Sequence, residues 1–371
     1  MKRVIILGCT GSIGSTALQA IRDNLAPLRV VGLCAHTNAQ RLEALAKEFG
    51  AEAVCLTSGE QYACEAARTY RGFSGLEQML KDLDADIVLN AIAGFEGLKA
   101  SLMSLSNGFD LALANKESVV CAGSYLFAVA SEHARRIIPV DSEHSAIYEL
   151  LKERDRTSVE SLILTASGGP FRTLERERFD TITVEQALAH PTWKMGKKIS
   201  IDSATLANKA LEVIEAAHLF GFDGEHIEVV IHPQSIVHSM IRTTDGAVYA
   251  QLGDPDMTLP IINALSGGSR NLVKRLDFSH LSLHFEAPDF QRFPLLELAF
   301  SILKRKGATA LAFNAADEVA VGAFLEGRIS YPRLIEVVQR TVDENWDATI
   351  QNFEQILALD AKARGIARRF V

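Results

Sequence analysis

Long hydrophobic runs are absent from this chain of 371 residues. No apolar stretch approaches the roughly 18 residues that a membrane-spanning helix needs, so we expect that this chain is not a membrane protein. The chain enters an apolar strand at Val4 without the hydrophobic segment and cleavage site of a signal peptide, which predicts a cytoplasmic protein. Strongly basic segments are also missing and the net charge is −8, which argues against a nucleic-acid partner.

Cysteine is scarce, and no two cysteines form a Cys-x-x-Cys pair. The five cysteines lie in the first third of the chain: Cys9, Cys34, Cys55, Cys64 and Cys121. We expect buried free thiols in a reducing compartment, and neither a disulfide framework nor a zinc site. Apolar residues make up 48% of the sequence and charged residues 23%, which is enough for a sizeable core. The length is about twice that of a usual domain and predicts two or three domains.

The N-terminal part alternates short β-branched runs with amphipathic stretches. Strands are predicted at Val4–Leu7, Arg29–Cys34, Ala53–Leu56, Ile87–Asn90, Leu111–Ala114 and Ile137–Val140. The segments between them, such as Thr16–Asn24 and Ala39–Phe49, carry apolar residues at helical spacing. This alternation predicts an α/β fold with an N-terminal Rossmann-like, doubly wound parallel sheet.

The pattern changes from about Asp141. Further strands are predicted at Leu162–Thr165, Glu228–Ile231, Ser235–Arg242 and Ala247–Leu252, and helices at Leu295–Lys306, Thr309–Leu325, Tyr331–Asn345 and Phe353–Phe370. We predict an N-terminal domain over residues 1–141, a central α+β catalytic domain over 142–284 with a flexible loop near 186–198, a linker over 285–294 and a C-terminal α-helical domain over 295–371.

A glycine-rich turn, Gly8–Gly14, follows the first predicted strand and opens a helix. Glycines there let backbone N–H groups approach a pyrophosphate, and a helix N-terminus adds about half a positive charge. The glycines are spaced GxxGxxG, one residue off the standard dinucleotide-binding fingerprint. The alternative is a tight strand–helix turn that binds no ligand.

The segment after the second predicted strand has no acidic residue. Enzymes that use NADH usually carry Asp or Glu there to bind the ribose 2′-hydroxyl. This chain has His36, Thr37 and Asn38, and both Asn38 and Arg41 offer hydrogen-bond donors. A 2′-phosphate is therefore tolerated, and we predict NADPH rather than NADH as the cofactor.

Two acids flank Ser142 after the last strand of the N-terminal part. In an extended segment, Asp141 and Glu143 would point the same way and converge. The alternative is that Ser142 caps a helix from Ser145 and that both acids are ordinary residues near its first turn.

A second run, Ser203–Ala216, predicts a helix capped by Ser203. Asn208 and Glu212 are four residues apart and Lys209 and Glu212 three apart, so all three share one face. The alternative is a solvated stripe with an exposed Lys209–Glu212 ion pair.

If Glu212 lies close to Asp141 and Glu143, their three negative charges repel one another. Each pair of carboxylates about 4 Å apart repels by about 4 kcal/mol at an effective dielectric near 20. Such a cluster needs protons or a cation to neutralise it. Ligation by oxygen alone suits Mg²⁺ or Mn²⁺ better than zinc.

The turn Ser167–Pro170 follows a predicted strand, and its small residues leave backbone donors accessible. Together with Ser203, Asn208 and Lys209, it would hold a phosphate. The alternative is a plain turn.

Two other segments bear on a ligand. The loop His190–Lys198 joins Trp193 to a proline, a glycine and three lysines, which suits a lid over a bound substrate. A buried structural Trp193 and a structural His190 are the alternatives. Lys116 follows a strand and would face the ligand crevice of a doubly wound sheet, although a surface lysine is the default.

Taken together, these segments resemble the 1-deoxy-D-xylulose 5-phosphate reductoisomerase family of the methylerythritol phosphate pathway to isoprenoids. The matching stretches occur in the family's order: Gly8–Gly14, Ala114–Ser118, Asp141–Ser145, Ser167–Phe171, His190–Lys198, Ile201–Glu215, His232–Ser239 and Asn314–Val321. No single stretch is decisive, but their ordered occurrence covers essentially the whole chain.

The resemblance implies roles for individual residues. The implied ligands of Mg²⁺, Mn²⁺ or Co²⁺ are Asp141, Glu143 and Glu212, and the implied catalytic residues are Glu143, Lys116 and His190. The implied substrate contacts are Lys116, Ser142, Glu143, Ser167, His190, Trp193, Ser203, Asn208, Lys209 and Glu212. The implied NADPH contacts are Thr10, Gly11, Ser12, Ile13, Asn38, Asn115, Glu117 and Gly196. The chain departs from the family at His36-Thr37, where some members have glycine and a basic residue.

The resemblance also implies a reaction and an assembly. A metal-bound sugar phosphate would undergo a retro-aldol and aldol rearrangement, and NADPH would reduce the resulting aldehyde to 2-C-methyl-D-erythritol 4-phosphate. The family is homodimeric. Two alternatives remain: a simple NADPH-dependent sugar-phosphate or semialdehyde dehydrogenase, which leaves the three acids without a role, and a non-catalytic NADPH-binding redox sensor.

Overall fold

The computed structural model describes residues 1–59, 62–193, 195–269, 271, 274–305 and 307–371. These residues form two compact units, and each unit gathers separate stretches of the chain. Unit 1 consists of Met1–Ser118, Leu126–Ser145 and Asp256–Arg275, and unit 2 of Val119–Tyr125, Ala146–Pro255 and Leu276–Val371. The domain boundaries drawn from the sequence stay a prediction.

The helices of the described residues, in chain order, are α1 (Ser12–Arg22), α2 (Ala39–Phe49), α3 (Gly72–Asp82), α4 (Glu96–Ser106), α5 (Lys116–Ala122), α6 (Ser124–Glu132), α7 (Ser142–Leu151), α8 (Val184–Leu188), α9 (Lys197–Thr205), α10 (Ala207–Phe220), α11 (Thr258–Ser266), α12 (Pro294–Lys304), α13 (Thr309–Leu325), α14 (Tyr331–Val342) and α15 (Phe353–Arg368). The four predicted C-terminal helices are confirmed. Lys306, the predicted end of the first of them, lies outside the described residues. None of the helices in the described ranges combines the length and apolar character that a membrane crossing requires.

Unit 1 is built around a seven-stranded sheet with the order β4-β3-β2-β1-β5-β6-β7. Its strands are β1 (Lys2–Leu7), β2 (Leu28–Ala35), β3 (Ala53–Leu56), β4 (Arg68–Arg71), β5 (Ile87–Asn90), β6 (Asp110–Leu113) and β7 (Ile137–Pro139). Every neighbouring pair is parallel, so the predicted doubly wound sheet is confirmed. Strand β4 was not predicted, because it is a short edge strand with an arginine at each end and no buried residue.

The strand order reverses between β1 and β5, and ligands of such sheets bind beyond the carboxyl ends of the strands at that point. Gly8 follows β1 there and has a φ of +80°. A Cβ at this position would lie 2.5 Å from the carbonyl oxygen of Ala91, which follows β5. Glycine is therefore required for the two strand ends to approach each other.

Unit 2 contains a four-stranded sheet with the order β11-β10-β8-β9. The strands are β8 (Val159–Ala166), β9 (Ile227–Ile231), β10 (Val237–Thr243) and β11 (Val248–Leu252). Strand β8 pairs parallel with β9 and antiparallel with β10, and β10 forms an antiparallel hairpin with β11. The smaller mixed sheet and its hairpin agree with the α+β arrangement expected for this part of the chain.

Tyr331, the first residue of α14, is fully buried in the core of unit 2. Its ring packs edge-on against Phe171 and Phe179, with centroid distances of 5.4 Å in both cases. Its hydroxyl donates a hydrogen bond of 2.7 Å to the carbonyl oxygen of Ala204. The last turn of α9, which carries Ser203, is thereby fixed to the helical core.

The prediction of one helix from Ser203 to Ala216 is wrong. Helix α9 ends at Thr205, Leu206 has a φ of +57°, and α10 begins at Ala207. Ser203 is therefore inside the last turn of α9 and does not cap the second helix. A leucine in the left-handed region is rare, and no glycine or proline marks the break in the sequence.

Candidate active site

The glycine turn of unit 1 leaves backbone donors open at the start of α1. Gly14 lies so close to the turn that a Cβ would be 2.4 Å from the Gly8 carbonyl oxygen. The Gly11 amide donates to that oxygen at 3.0 Å, and α1 begins with Ser12. The predicted cofactor residues Thr10, Gly11, Ser12 and Ile13 thus lie in one turn at a helix N-terminus. This geometry fits the pyrophosphate of a dinucleotide.

Asn115 and Glu117 lie beyond β6 in the same unit and contact each other. The Asn115 side-chain amide donates to Glu117 Oε2 at 2.8 Å and to the Gly94 carbonyl oxygen at 2.9 Å. Its Oδ1 accepts a bond of 3.1 Å from the Ser118 amide. The Asn115 side chain therefore orients Glu117 and the following helix, and its predicted contact with cofactor stays a prediction.

Asp141 lies immediately before α7 in unit 1 and contacts two basic groups. The Lys116 ammonium forms an ion pair with Asp141 Oδ2, and His144 Nδ1 lies 3.8 Å from Oδ1. Burial raises the pKa of the Asp141 carboxyl, but the charge of Lys116 and the contact with His144 outweigh it and hold that pKa well below its ordinary value. Asp141 is therefore an anion at neutral pH. Lys116 is buried, so the surface-lysine alternative is wrong.

Two expectations about the segment after Asp141 need correction. Helix α7 begins at Ser142 itself, so Ser142 does not cap a helix from Ser145, and Glu143 is not in an extended segment. The Ser142 hydroxyl contacts Glu143 Oε2 instead. Glu143 lies in the first turn of α7, where a helix N-terminus favours a negative charge. His144 was not singled out from the sequence, although its spacing of three residues from Asp141 was a usable signal.

In unit 2, the turn after β8 packs against the end of α9. Gly169 has a φ of +68°, and a Cβ there would lie 2.5 Å from the Ser203 carbonyl oxygen. The Gly169 amide donates to Ser167 Oγ at 3.3 Å. The structure thus brings the Ser167 turn and Ser203 together, as the phosphate-site hypothesis requires.

His190 has a defined hydrogen-bonding arrangement. Its Nδ1 accepts bonds from the amides of Thr192 at 3.1 Å and Trp193 at 2.9 Å. In the neutral ring the proton is therefore on Nε2, which lies 3.0 Å from Ser167 Oγ and donates to it. Burial lowers the pKa of His190, which favours this neutral form. Trp193 is only partly buried, and Lys194 of the predicted loop lies outside the described residues.

Asn208, Lys209 and Glu212 share one face of α10, as predicted. The Lys209 ammonium forms an ion pair with Glu212 Oε2. The Asn208 amide donates to Glu212 Oε1 at 2.5 Å. Lys209 is 3% exposed and Glu212 is 1% exposed, so the alternative of a solvated stripe is wrong. Burying this pair away from water requires compensation within the protein, which each residue supplies to the other.

The structure contains a second cluster of charged residues, at the start of α9, that was not predicted from the sequence. Lys198 Nζ, in the first turn of α9, donates to Asp202 Oδ2 at 2.6 Å and to Asp317 Oδ2 at 2.8 Å. Both aspartates are buried, and Asp317 belongs to α13. The cluster fixes the start of α9, just as Tyr331 fixes its end. The spacing of Lys198 and Asp202 was a signal for a pair, but no local pattern indicates Asp317, which is 119 residues further along the chain.

Replacing Gly169 with alanine tests the close contact with Ser203. Gly221 provides a matched control, since its φ is +66° but a Cβ there meets nothing within 4 Å. Gly221→Ala should lower the free energy of unfolding by about 1 kcal/mol through backbone strain alone. Gly169→Ala should cost about 1–3 kcal/mol more, because its Cβ overlaps a backbone oxygen. Urea unfolding of both variants measures the difference, and equal losses would show that the turn does not press against Ser203.

The neutral form of His190 predicts a direction of pH dependence. Its pKa in the folded protein should lie below about 6.5, the ordinary value. The unfolded chain then binds the proton more readily, so the His190 contribution lowers the free energy of unfolding as the pH falls through that value. NMR titration of the ring, assigned with His190→Gln, measures the pKa. A value at or above the ordinary one would contradict the assignment of Nδ1 as an acceptor.

Three family models match successive parts of the chain. A model described as 1-deoxy-D-xylulose 5-phosphate reductoisomerase matches residues 4–123. A model of the C-terminal domain of 1-deoxy-D-xylulose 5-phosphate reductoisomerase matches residues 137–220, and a DXP reductoisomerase C-terminal domain model matches residues 252–366.

Curated relatives and solved structures agree with these models. The 1-deoxy-D-xylulose 5-phosphate reductoisomerase of Treponema pallidum is 45% identical, and the match covers 99% of this chain and 97% of that protein. A structure of the Zymomonas mobilis enzyme in complex with NADPH is 40% identical, with a TM-score of 0.92 and coverage of 99% of this chain and 98% of that one. A DOX-P reductoisomerase in complex with NADPH, fosmidomycin and magnesium is 36% identical, with a TM-score of 0.91 and coverage of 100% and 98%. The resemblance found in the sequence is thus confirmed: the chain belongs to the 1-deoxy-D-xylulose 5-phosphate reductoisomerase family.

Proposed function

We propose that this chain converts 1-deoxy-D-xylulose 5-phosphate to 2-C-methyl-D-erythritol 4-phosphate with NADPH and a divalent metal ion. Family membership supports the reaction, and the related structures with NADPH and magnesium support the cofactor and the metal. The observation that carries the proposal is the pairing of an acid with a buried lysine in each unit: Asp141 with Lys116, and Glu212 with Lys209. The alternative of a simple dehydrogenase gives no role to the three acids Asp141, Glu143 and Glu212.

We assign Asp141, Glu143 and Glu212 as the ligands of the ion. All three offer carboxylate oxygens, which suit Mg²⁺, Mn²⁺ or Co²⁺. The low pKa of Asp141 supports this assignment, because a ligand must be deprotonated. When bound, the ion supplies Lewis-acid polarisation of the substrate ketone, and NADPH supplies the hydride.

We assign the substrate phosphate to Ser167, Ser203, Asn208 and Lys209. Asn208 and Lys209 lie in the first turn of α10, where the helix N-terminus favours an anion. Glu212 would hold the ion, and the Lys209 ammonium, which pairs with Glu212 in this structure, would donate to the phosphate. Lys209 would therefore couple the binding of the ion to the binding of the phosphate.

Lys116, Glu143 and His190 are the residues that we assign to the reacting part of the substrate. His190 donates from Nε2, so a substrate oxygen would replace the Ser167 hydroxyl as its acceptor. Lys116, which pairs with Asp141 in this structure, would donate to a substrate oxygen that gains negative charge during the rearrangement. Ser142 and Trp193 complete the predicted substrate contacts, with Trp193 excluding water.

The remaining assignments concern the NADPH contacts and the cellular compartment. Thr10, Gly11, Ser12, Ile13, Asn38, Asn115, Glu117 and Gly196 are the proposed NADPH contacts. The five cysteines are buried free thiols, which supports a reducing, cytoplasmic location.

The substitution Glu212→Gln tests the ligand set. It preserves the shape of the side chain but removes its charge, so Mn²⁺ affinity should fall about a hundredfold while the fold is retained. Titration calorimetry with Mn²⁺ measures the affinity. Glu318→Gln is the control, because Glu318 also pairs with a cation, Arg364, but lies on α13. Unchanged Mn²⁺ affinity in Glu212→Gln would remove this residue from the ligand set.

NADPH consumption with 1-deoxy-D-xylulose 5-phosphate that survives exhaustive EDTA treatment would overturn the metal-dependent reaction itself.

A homodimer is the proposed assembly, supported by strand β11 at the edge of the unit 2 sheet. Val248 and Tyr249 on this strand are 48% and 41% exposed, and exposed apolar edge strands commonly pair with a second chain. Wild-type protein should sediment as a dimer at micromolar concentration, and Tyr249→Asp should sediment as a monomer. Leu357→Asp, on α15 with 45% exposure, is the control and should remain dimeric. Monomeric wild-type protein would contradict this assembly.

A further inference from the structure

The segment that follows β2 in unit 1 contains no residue that by itself explains a preference for one form of the adenosine ribose. His36, Thr37 and Asn38 are exposed, and none is acidic or permanently charged. His36 Nδ1 lies 3.1 Å from Thr57 Oγ1 of the following strand region. The Asn38 side-chain oxygen caps α2 by accepting a bond of 3.0 Å from the Arg41 amide. The Asn38 oxygen is thus committed to the helix.

Arg41 supplies the positive charge that this segment otherwise lacks. It lies in the first turn of α2, and its side chain is exposed. Its guanidinium reaches back to α1 and donates a bond of 2.9 Å to Ser15 Oγ. Burial raises the pKa of the Cys9 thiol, in the glycine turn, to about 12. The positive charge of Arg41 acts against this increase. In the described part of the chain, no carboxylate forms an ion pair with Arg41.

We propose that Arg41 is the residue that selects NADPH over NADH by binding the 2′-phosphate, and that Ser15 is its positioning residue. The proposal rests on the NADPH use proposed above and extends it to a specific side chain. A guanidinium binds a phosphate through paired, charge-assisted hydrogen bonds, whereas a 2′-hydroxyl offers it little. Asn38 fixes the backbone of Arg41, and Ser15 fixes its head, so little side-chain freedom is lost on binding.

The test is the affinity for NADPH and NADH separately, measured by fluorescence titration without substrate or metal. Arg41→Ala should weaken NADPH binding about tenfold to a hundredfold and leave NADH binding within about twofold. Arg41→Lys should fall between wild type and Arg41→Ala, because it keeps the charge but not the paired geometry. Ser15→Ala should reduce the NADPH preference by a few fold and leave NADH binding unchanged.

Arg22→Ala is the matched control. Arg22 is another exposed arginine of unit 1, paired with Glu48 at 2.6 Å, and its loss should leave both affinities unchanged. An equal loss of NADPH and NADH affinity in Arg41→Ala, or no loss at all, would overturn the proposal. Because neither metal nor sugar phosphate is present, this result is independent of the turnover experiment that tests the reaction.

Discussion

A carboxylate can be buried only where a counter-charge or a set of hydrogen bonds replaces the water that it loses. This constraint explains the surroundings of one proposed metal ligand in each unit. In unit 1 the charge of Lys116 outweighs the effect of burial and holds the pKa of Asp141 well below its ordinary value, and in unit 2 Glu212 contacts Lys209 and Asn208. Under the proposed function a divalent ion would balance the charge that each lysine balances in this structure. Under the proposed function each lysine would then contact the substrate.

The proposed exchange of partners requires a firm scaffold. Helix α9 is fixed at its start by Lys198 between Asp202 and Asp317, and at its end by the hydrogen bond from Tyr331. The break at Leu206 then lets α10 begin a new first turn with Asn208 and Lys209. In unit 1, the absence of side chains at Gly8 and Gly14 lets the backbone approach at the strand ends. Anchored elements thus carry the residues whose partners would change under the proposed function.

The sequence predicts the parts that depend on local pattern. Strand–helix alternation is enough to predict the parallel sheet, and spacing is enough to pair Lys209 with Glu212. It fails where tertiary contacts override local preference: no residue type marks the left-handed Leu206, so Ser203 was wrongly assigned as a cap. The sequence predicts a strand up to Val140 and an extended segment after it, whereas the strand ends at Pro139 and the helix already begins at Ser142. Asp317 could not be connected with Lys198, since no periodic pattern links residues so far apart in the chain. The roles of the site residues came from the family resemblance and not from spacing.

The central claim is that Lys209 holds the place of the ion at Glu212. Titration of Mn²⁺ into wild-type protein and into Lys209→Met measures this most directly, because methionine keeps the bulk of the side chain and removes its charge. The account predicts tighter Mn²⁺ binding in Lys209→Met, since the ion no longer has to displace the ammonium. Unchanged or weaker binding would contradict the account, because the lysine would then not compete with the metal.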